Sequence, residues 1–306
     1  MADYLLAIRE ILRGKLQRMD ELLSYPELEQ EKVLFNDVRA LKESGLLRDE
    51  AKLAPLVQQM TRTEPFRNWL VPGVSTKLLL CSTSDTATTT VGFSEISAFC
   101  LYFSVALAKA PTSQMNPTSQ MNPRPTSLMN LTSQMNPTSQ FPRRTPILFF
   151  CGRHVDPHLP VWELGGRAMV ISFIDQILIK FFPDQPTSQQ QVPAIQAVIH
   201  MDHIFQLTNT LVNLIRQVPI GEDLYFIIDQ AVLFEQEQFR AEAFVVFEAL
   251  FNLVYYKISA AGIKVLLTGT TTTARDIPRM FNQFEMIDTD PYLVQSQSEG
   301  DARDTE

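Results

Sequence analysis

The sequence predicts an α/β protein with a three-layer parallel sheet, and three observations support this fold class. Short apolar runs are bounded by polar residues, and the clearest of them runs from Leu224 to Ile228 and ends at Asp229. A strand that is apolar on both faces is typical of a parallel sheet covered by helices. Longer segments with helical spacing alternate with these runs, as crossover connections require. A carboxylate that ends a buried strand lies where open α/β sheets bind their ligands.

Four strands and four helices are predicted along this part of the chain. The predicted strands cover residues 77–81, 147–151, 224–229 and 263–268. The predicted helices cover residues 94–109, 161–182, 202–217 and 237–260. The helix at 161–182 carries four charged residues, Glu163, Arg167, Asp175 and Lys180, so we expect it to pack in the core rather than cross a membrane.

The regions outside these elements have a different character. Apolar residues recur at helical spacing in residues 1–70, which predicts a helical N-terminal segment before an α/β domain at 71–292. Residues 111–141 repeat a six-residue unit rich in Pro, Ser and Asn, so we expect 111–145 to be a disordered insertion. Residues 293–306 are predicted to form an acidic disordered tail.

Composition limits the compartment and the partners. The chain has 26 basic and 34 acidic residues and a net charge of −8, so nucleic acid and membranes are not expected as partners. Three scattered cysteines favour a reducing compartment over a disulfide framework. The N-terminus has charges within its first fifteen residues and no small-residue cleavage site, so it does not resemble a signal peptide. We therefore expect a cytoplasmic protein.

Four motifs carry a family resemblance: "FRNWL" at 66–70, "ILFFCGRHVD" at 147–156, "YFIID" at 225–229 and "VLLTGTTTTAR" at 265–275. Together they resemble the STAND or NACHT-like P-loop NTPase domains found in many fungal proteins, within a group whose nucleotide-binding loop is degenerate. The resemblance implies a sheet of the P-loop NTPase type, with the 263 strand between the 77 and 224 strands and the 147 strand outside the latter. It also implies that Asp229 occupies the position of the magnesium-binding Walker B aspartate, with Arg275 just beyond the sensor strand.

The loop that should bind phosphate departs from this family pattern. A phosphate cradle requires G-x-x-x-x-G-K-[ST], with glycines for inward-pointing amides and a lysine for the phosphates. The loop from Ser82 to Glu95 has one glycine, Gly92, and no lysine, and it contains the anion Asp85. The residue after Asp229 is Gln230, whereas the family places its catalytic carboxylate close behind the magnesium ligand. These departures argue against an enzyme.

Two interpretations of the remaining nucleotide-site residues stay open. Asp229 is either a buried strand-end acid that accepts backbone amides, or a ligand for magnesium and a nucleotide. Arg275 is either a solvated loop arginine or part of the same nucleotide site. Glu235, six residues after Asp229, could reach back only if the intervening turn folds suitably.

A second cluster of potentially reactive side chains follows the 147 strand. Cys151, His154 and His158 have the spacing C-x-x-H-x-x-x-H and could supply three zinc ligands. Zinc knuckles usually occur in pairs and no second one is present, so we expect no bound metal and little effect of His154→Ala on folding. Cys151 and His154 could also form a nucleophile pair, but the sequence identifies no group to orient the histidine.

The sequence therefore predicts a non-catalytic interaction or regulatory protein, built on a degenerate NTPase fold and acting through protein partners without a cofactor. The alternative is a weak ATP- or GTP-binding switch of the STAND type that uses magnesium, Asp229 and Arg275. A more distant alternative is a metal-dependent hydrolase centred on Cys151 to His158.

Overall fold

The computed structural model describes residues 32–48, 57, 60–82, 92–109, 142–182, 203–270 and 274–289. Its α-helices are α1 (Lys32–Glu43), α2 (Glu64–Trp69), α3 (Glu95–Lys109), α4 (Gly165–Phe181), α5 (Ile204–Gln217) and α6 (Glu237–Tyr256). Its strands are β1 (Thr76–Ser82), β2 (Arg143–Phe150), β3 (Glu222–Asp229), β4 (Gly262–Thr270) and β5 (Met286–Asp288). The predictions for the first 31 residues, residues 111–141 of the insertion, the tail at 293–306 and loop residues 83–91 lie outside the described residues. The predicted end of the insertion at 145 is wrong, because strand β2 already begins at Arg143.

The five strands form one sheet in the order β2-β3-β4-β1-β5, and every described pairing is parallel. The predicted parallel sheet is confirmed, and so is the predicted order of its four strands, because β4 lies between β1 and β3 while β2 lies outside β3. The fifth strand was not predicted. In the β2–β3 register Phe150 is opposite Asp229, so both strands end at the same edge.

Alternate residues of β3 face two different cores. Leu224, Phe226 and Ile228 belong to the core beneath α4, α5 and α6. Tyr225 and Ile227 belong to the core beneath α1, α2 and α3. Each large apolar side chain buried in this way contributes about 1.5–3 kcal/mol, which explains why the strand is apolar throughout.

The helices cover both faces of the sheet, so the predicted three-layer arrangement is confirmed. On one face α1 and α2 pack into the same core as α3 and the sheet, through residues that include Leu34, Val38, Leu41, Phe66 and Trp69. The indole Nε1 of Trp69 donates a 3.2 Å hydrogen bond to the carbonyl of Val265 on β4. These two N-terminal helices therefore belong structurally to the α/β body.

Two helix boundaries differ from the prediction by four residues. The segment predicted as one helix at 161–182 begins with a 3-10 turn at Val161–Glu163, and its α-helix starts at Gly165 because Leu164 has an extended backbone. Helix α6 ends at Tyr256 rather than 260, since Lys257 adopts the left-handed conformation that terminates helices. No helix among the described residues is long and apolar enough to cross a membrane.

Candidate functional site

Asp229 lies at the carboxyl end of β3, between the end of β4 and the first turn of α3, and exposes no surface to solvent. The Ser97 hydroxyl in α3 donates a 2.5 Å hydrogen bond to its Oδ2 atom. The Thr268 hydroxyl on β4 donates a 2.7 Å hydrogen bond to its Oδ1 atom. The position predicted for Asp229 is confirmed, but the groups that hold its carboxylate are hydroxyls from two neighbouring elements.

Both hydroxyls are oriented toward the carboxylate by backbone amides. The Oγ atom of Ser97 accepts a 2.8 Å hydrogen bond from the amide of Ser94, and Thr268 Oγ1 accepts a 2.9 Å hydrogen bond from the amide of Gln230. A hydroxyl has one proton to donate, so an oxygen that accepts from an amide directs that proton elsewhere. In each case the proton points at Asp229.

Burial dominates the protonation of Asp229. Desolvation raises the pKa of its carboxyl group to about 6, although the hydrogen bonds from Ser97 and Thr268 and the amide of Gln230 favour the ionised form. The nearby thiol of Cys100 lies 3.9 Å from Oδ1, and burial, with the Asp229 charge second, raises the pKa of that thiol well above its usual value. Asp229 is therefore closed to solvent, and its described contacts supply hydrogen-bond donors but no cation.

The residue that follows Asp229 has an unusual conformation. Gln230 adopts a left-handed backbone with φ of 53°, and its side chain is buried. Among the described residues, neither Oε1 nor Nε2 of its amide has a hydrogen-bond partner. A buried amide without a partner costs about 1–3 kcal/mol, so this position is not explained by stability alone.

Two glycines meet beside Gln230. A Cβ atom added to Gly152, just after β2, would lie 1.9 Å from the carbonyl oxygen of Gly92 and 2.8 Å from Gln230 Oε1. Gly92 has φ of +78°, and a Cβ atom there would lie 2.2 Å from the carbonyl oxygen of Gly152. The backbones that enter α3 and leave β2 are thus in direct contact, which only glycine permits on both sides.

Phe93 stands between Gly92 and Ser94 in the loop that enters α3, and this loop lacks the lysine that a phosphate-binding motif requires. Phe93 is fully buried, and its ring packs edge-on against Phe150 of β2 with centroids 5.5 Å apart. The motif's ammonium group must reach toward phosphate, whereas this side chain points into the apolar core.

The structure does not join Arg275 to Asp229. Arg275 is exposed and lines an open groove of about 870 Å³, and it is not among the described contacts of Asp229. Glu235 lines the same groove, and its carboxylate accepts hydrogen bonds from the backbone amides of Arg275, Asp276 and Ile277. Glu235 therefore holds the loop after β4 and does not reach back to Asp229.

The three candidate zinc ligands do not converge. Cys151 is buried, and desolvation, with the charges of Asp229 and Asp37, raises its thiol pKa well above the usual value, which disfavours a thiolate ligand or nucleophile. The side chain of His158 is exposed, and its backbone amide donates a 3.0 Å hydrogen bond to Oδ1 of Asp156. Among the described residues no group of three or more His, Cys, Asp or Glu side chains is placed to hold a metal ion.

His154 instead forms a buried pair with a helix from the N-terminal segment. Its Nε2 atom lies 3.1 Å from Oδ2 of Asp37 on α1, and its Nδ1 atom lies 2.7 Å from the carbonyl of Glu163. The ring also stacks on Phe149 with centroids 4.6 Å apart. With both ring nitrogens engaged, His154 connects α1 to the loop after β2, and the expectation that it is dispensable for folding no longer holds.

The sequence analysis did not identify Ser97, Thr268 or Asp37 as partners of the candidate site residues. A sequence pattern around Ser97 and Asp37 could have indicated them. Asp37 lies between Leu34 and Leu41 on the apolar stripe of α1, where an unpaired charge would be unfavourable. Ser97 follows Ser94 at the three-residue spacing of a reciprocal helix cap. Thr268 had no such signal, because threonine is common in strands.

Comparison of the chain with family models, with curated proteins and with solved structures finds no match. The function is therefore argued from the chemistry of the site.

Proposed function

We propose that this protein is a non-catalytic interaction or regulatory module built on a sheet of the P-loop NTPase type whose nucleotide chemistry has been lost. The observation that carries the proposal is the environment of Asp229. Its two carboxylate oxygens accept hydrogen bonds from the hydroxyl groups of Ser97 and Thr268 in a site without solvent exposure. A carboxyl group held in this way connects β3 to β4 and α3.

The family assignment is part of the same proposal. It is supported by the strand order β2-β3-β4-β1-β5, by α3 following β1, and by the acid at the end of β3. The loss of chemistry is supported by the loop around Phe93, which lacks the lysine of the motif, and by Gln230 after the strand-end acid. A carboxamide does not take up a proton near neutral pH, so Gln230 is unsuited to serve as a general base.

A second candidate, a weak ATP- or GTP-binding switch that uses magnesium, is favoured by one observation. The buried amide of Gln230 lies at the edge of the sheet where α/β proteins bind ligands, and it has no partner in the part of the chain that the structure describes. A ligand that formed hydrogen bonds with this amide would remove the free-energy cost of leaving it unpaired. The separation of exposed Arg275 from the contacts of Asp229 weighs against this candidate.

Calorimetric titration with ATP or GTP in the presence of magnesium separates the two candidates. We expect affinities weaker than about 1 mM, which corresponds to roughly −4 kcal/mol. The substitutions Asp229→Asn and Arg275→Ala should leave this weak signal unchanged. Micromolar binding that is abolished by Asp229→Asn or by Gln230→Ala would establish the switch instead.

The interaction role has its own test. Partners captured by crosslinking in cells should be the same for the native chain and for Asp229→Asn, provided that both are folded. A partner set that disappears with Asp229→Asn, while the fold is retained, would mean that the chemistry of this carboxylate is used after all.

A further inference from the structure

The amino ends of the strands carry a set of exposed apolar side chains that the candidate site does not use. Ile220 is 86% exposed in the turn before β3, and Tyr256 is 72% exposed at the end of α6. Phe284, just before β5, is 75% exposed, and Val74 and Ile258 are also exposed in the turns before β1 and β4. Because the sheet is parallel, all of these turns lie at one edge, opposite Asp229.

Hydrogen bonds connect the turns into one surface. The amide of Gly73, beside Val74, donates to the Asp223 carboxylate at the start of β3. The Ser259 hydroxyl, beside Ile258, donates a 3.2 Å bond to the carbonyl of Ile215 near the end of α5. The amide of Arg143 donates a 2.7 Å bond to the carbonyl of Gly221, beside Ile220. The side chains of Val74, Ile220 and Ile258 therefore lie on turns that are hydrogen-bonded to neighbouring elements of the fold.

The same surface is basic, although the chain has a net charge of −8. Arg143, Arg216 and Lys257 are exposed in or beside these turns. The nearby acids have basic neighbours: Glu222 interacts with Arg143, Asp223 with Lys264 and Arg144, and Glu285 lies 3.6 Å from the Lys77 ammonium, so Arg216 and Lys257 are the cations not matched by one of these acids. The negative charge of the chain is thus not spread evenly, and at this edge exposed cations lie beside exposed apolar side chains.

We propose that this amino-edge surface, formed by Val74, Ile220, Tyr256, Ile258 and Phe284 with Arg143, Arg216 and Lys257, docks on an anionic lipid bilayer. A bilayer interface accepts separate apolar tips and favours tyrosine at the level of the headgroups. Cations beside the tips are attracted by anionic lipids. The contact is peripheral, and it goes beyond the proposed interaction role because it identifies a surface on which the module is placed.

The distribution of charge changes the conclusion drawn from net charge alone. Screening limits the field of distant acids to about 8–10 Å at physiological salt, so the charges at the contact dominate. The expectation of no membrane partner rested on the sum over the chain. The structure shows instead where the individual cations lie, and Arg143, Arg216 and Lys257 are exposed at this edge.

Co-sedimentation of the full chain with vesicles tests the proposal. The chain should pellet with phosphatidylcholine vesicles that contain phosphatidylserine, less so at high salt, and hardly with pure phosphatidylcholine. The double variant Arg216→Gln/Lys257→Gln should bind about 30-fold more weakly, since each neutralised cation contributes about five-fold. Ile220→Ser/Tyr256→Ser should weaken binding at every salt concentration.

Matched controls come from the opposite edge of the sheet. Val161→Ser/Trp162→Ser removes two side chains that are 63% and 56% exposed, and Arg275→Gln removes an exposed cation. Neither should change vesicle binding, and circular dichroism should show that every variant is folded. Equal losses in the control and test variants would overturn the proposal.

Three further outcomes would also overturn it. The first is the absence of the chain from phosphatidylserine pellets. The second is full competition by soluble glycerophosphoserine, which would indicate a headgroup pocket rather than a bilayer surface. The third is binding of a polyglutamate peptide through Arg216 and Lys257 without vesicle binding, which would assign the surface to an acidic protein.

Discussion

Ser97 and Asp229, which are 132 positions apart in the chain, are joined by a buried 2.5 Å hydrogen bond between the first turn of α3 and the end of β3. The serine hydroxyl accepts from the Ser94 amide, so its proton is directed at the carboxylate. Burial nevertheless raises the pKa of Asp229 to about 6. The bond therefore holds the Asp229 carboxylate, and ionising this buried group costs free energy.

This cost makes stability depend on pH in a defined direction. A carboxyl group whose folded pKa is raised from 3.8 to about 6 stabilises the fold fully below the lower value. That contribution is lost as the pH rises through about 6, and the difference corresponds to about 3 kcal/mol. Asp229→Asn does not titrate, so its free energy of unfolding relative to the native chain should rise by up to that amount between about pH 4 and pH 7.

Urea unfolding of both chains across this pH range measures the effect. Ser97→Ala serves as the matched variant, because removal of a donor should raise the pKa of Asp229 further and move the window upward. A stability difference between Asp229→Asn and the native chain that does not vary with pH would show that the carboxyl group is solvated.

The buried pair of Asp37 and His154 gives a second prediction. Burial opposes the charge on His154, but the hydrogen bond and charge of Asp37 raise its pKa above the usual value. His154→Ala should destabilise the fold by roughly 3–5 kcal/mol, because it leaves the Asp37 carboxylate buried without its main partner. A double-mutant cycle with Asp37→Ala should show that the double variant loses less than the sum of the single variants.

The pH dependence of this coupling follows from the same pKa. A histidine with a raised folded pKa stabilises the fold fully below the unfolded value of 6.5, and the contribution is lost as the pH rises through the folded value. The coupling energy should therefore fall above neutral pH. Arg153→Ala is the control, since its partly exposed side chain lies 3.8 Å from Asp37 and should have a smaller effect. Additive single-variant costs would mean that the pair is not coupled.

The sequence predicted the four long strands, because runs such as Leu224–Ile228 are apolar on both faces and too short for helices. The order of these strands was implied only by the family resemblance. The sequence did not predict β5, which has three residues and one buried side chain, Ile287. It also placed Asp229 at the right end of its strand. The partners of Asp229 and His154 could not be derived, because each lies on a distant element and tertiary packing alone brings them together.

Lys77 provides a third prediction. This buried lysine of β1 has its ammonium group 4.8–5.0 Å from the ring centroids of Phe251, Tyr255 and Phe281, and it donates to the carbonyl of Met280. Lys77→Met keeps the apolar stem but removes the cation. We expect a loss of about 2 kcal/mol in the free energy of unfolding, because a desolvated cation over aromatic rings contributes that much.

Hydrogen exchange locates the effect of Lys77→Met. Residues 278–288 should lose protection more than α5, because Lys77 connects β1 to the segment that leads into β5. Tyr255→Leu should reproduce a smaller part of the loss, since it removes one of the three rings. Unchanged protection in residues 278–288 would show that the ammonium group does not hold this segment.

The contact between Gly92 and Gly152 gives the last prediction. In Gly152→Ala the added methyl group would lie 1.9 Å from the carbonyl oxygen of Gly92, and this neighbour is backbone rather than a flexible side chain. One segment must move, which would pull α3 away from the end of β2 and disturb the bond between Ser97 and Asp229. We expect a loss of at least about 3 kcal/mol, the upper end of the usual cost of overpacking.

Gly45→Ala separates this steric effect from backbone strain. Gly45 has φ of +80° with no atom within 4 Å of an added Cβ, so its substitution should cost only about 1 kcal/mol from the left-handed conformation. Gly152 has no such conformation, and its cost must come from the contact itself. Urea unfolding of the two variants measures both losses in the free energy of unfolding and shows which is larger. A smaller loss for Gly152→Ala than for Gly45→Ala would mean that α3 and the end of β2 are not held in contact at Gly92.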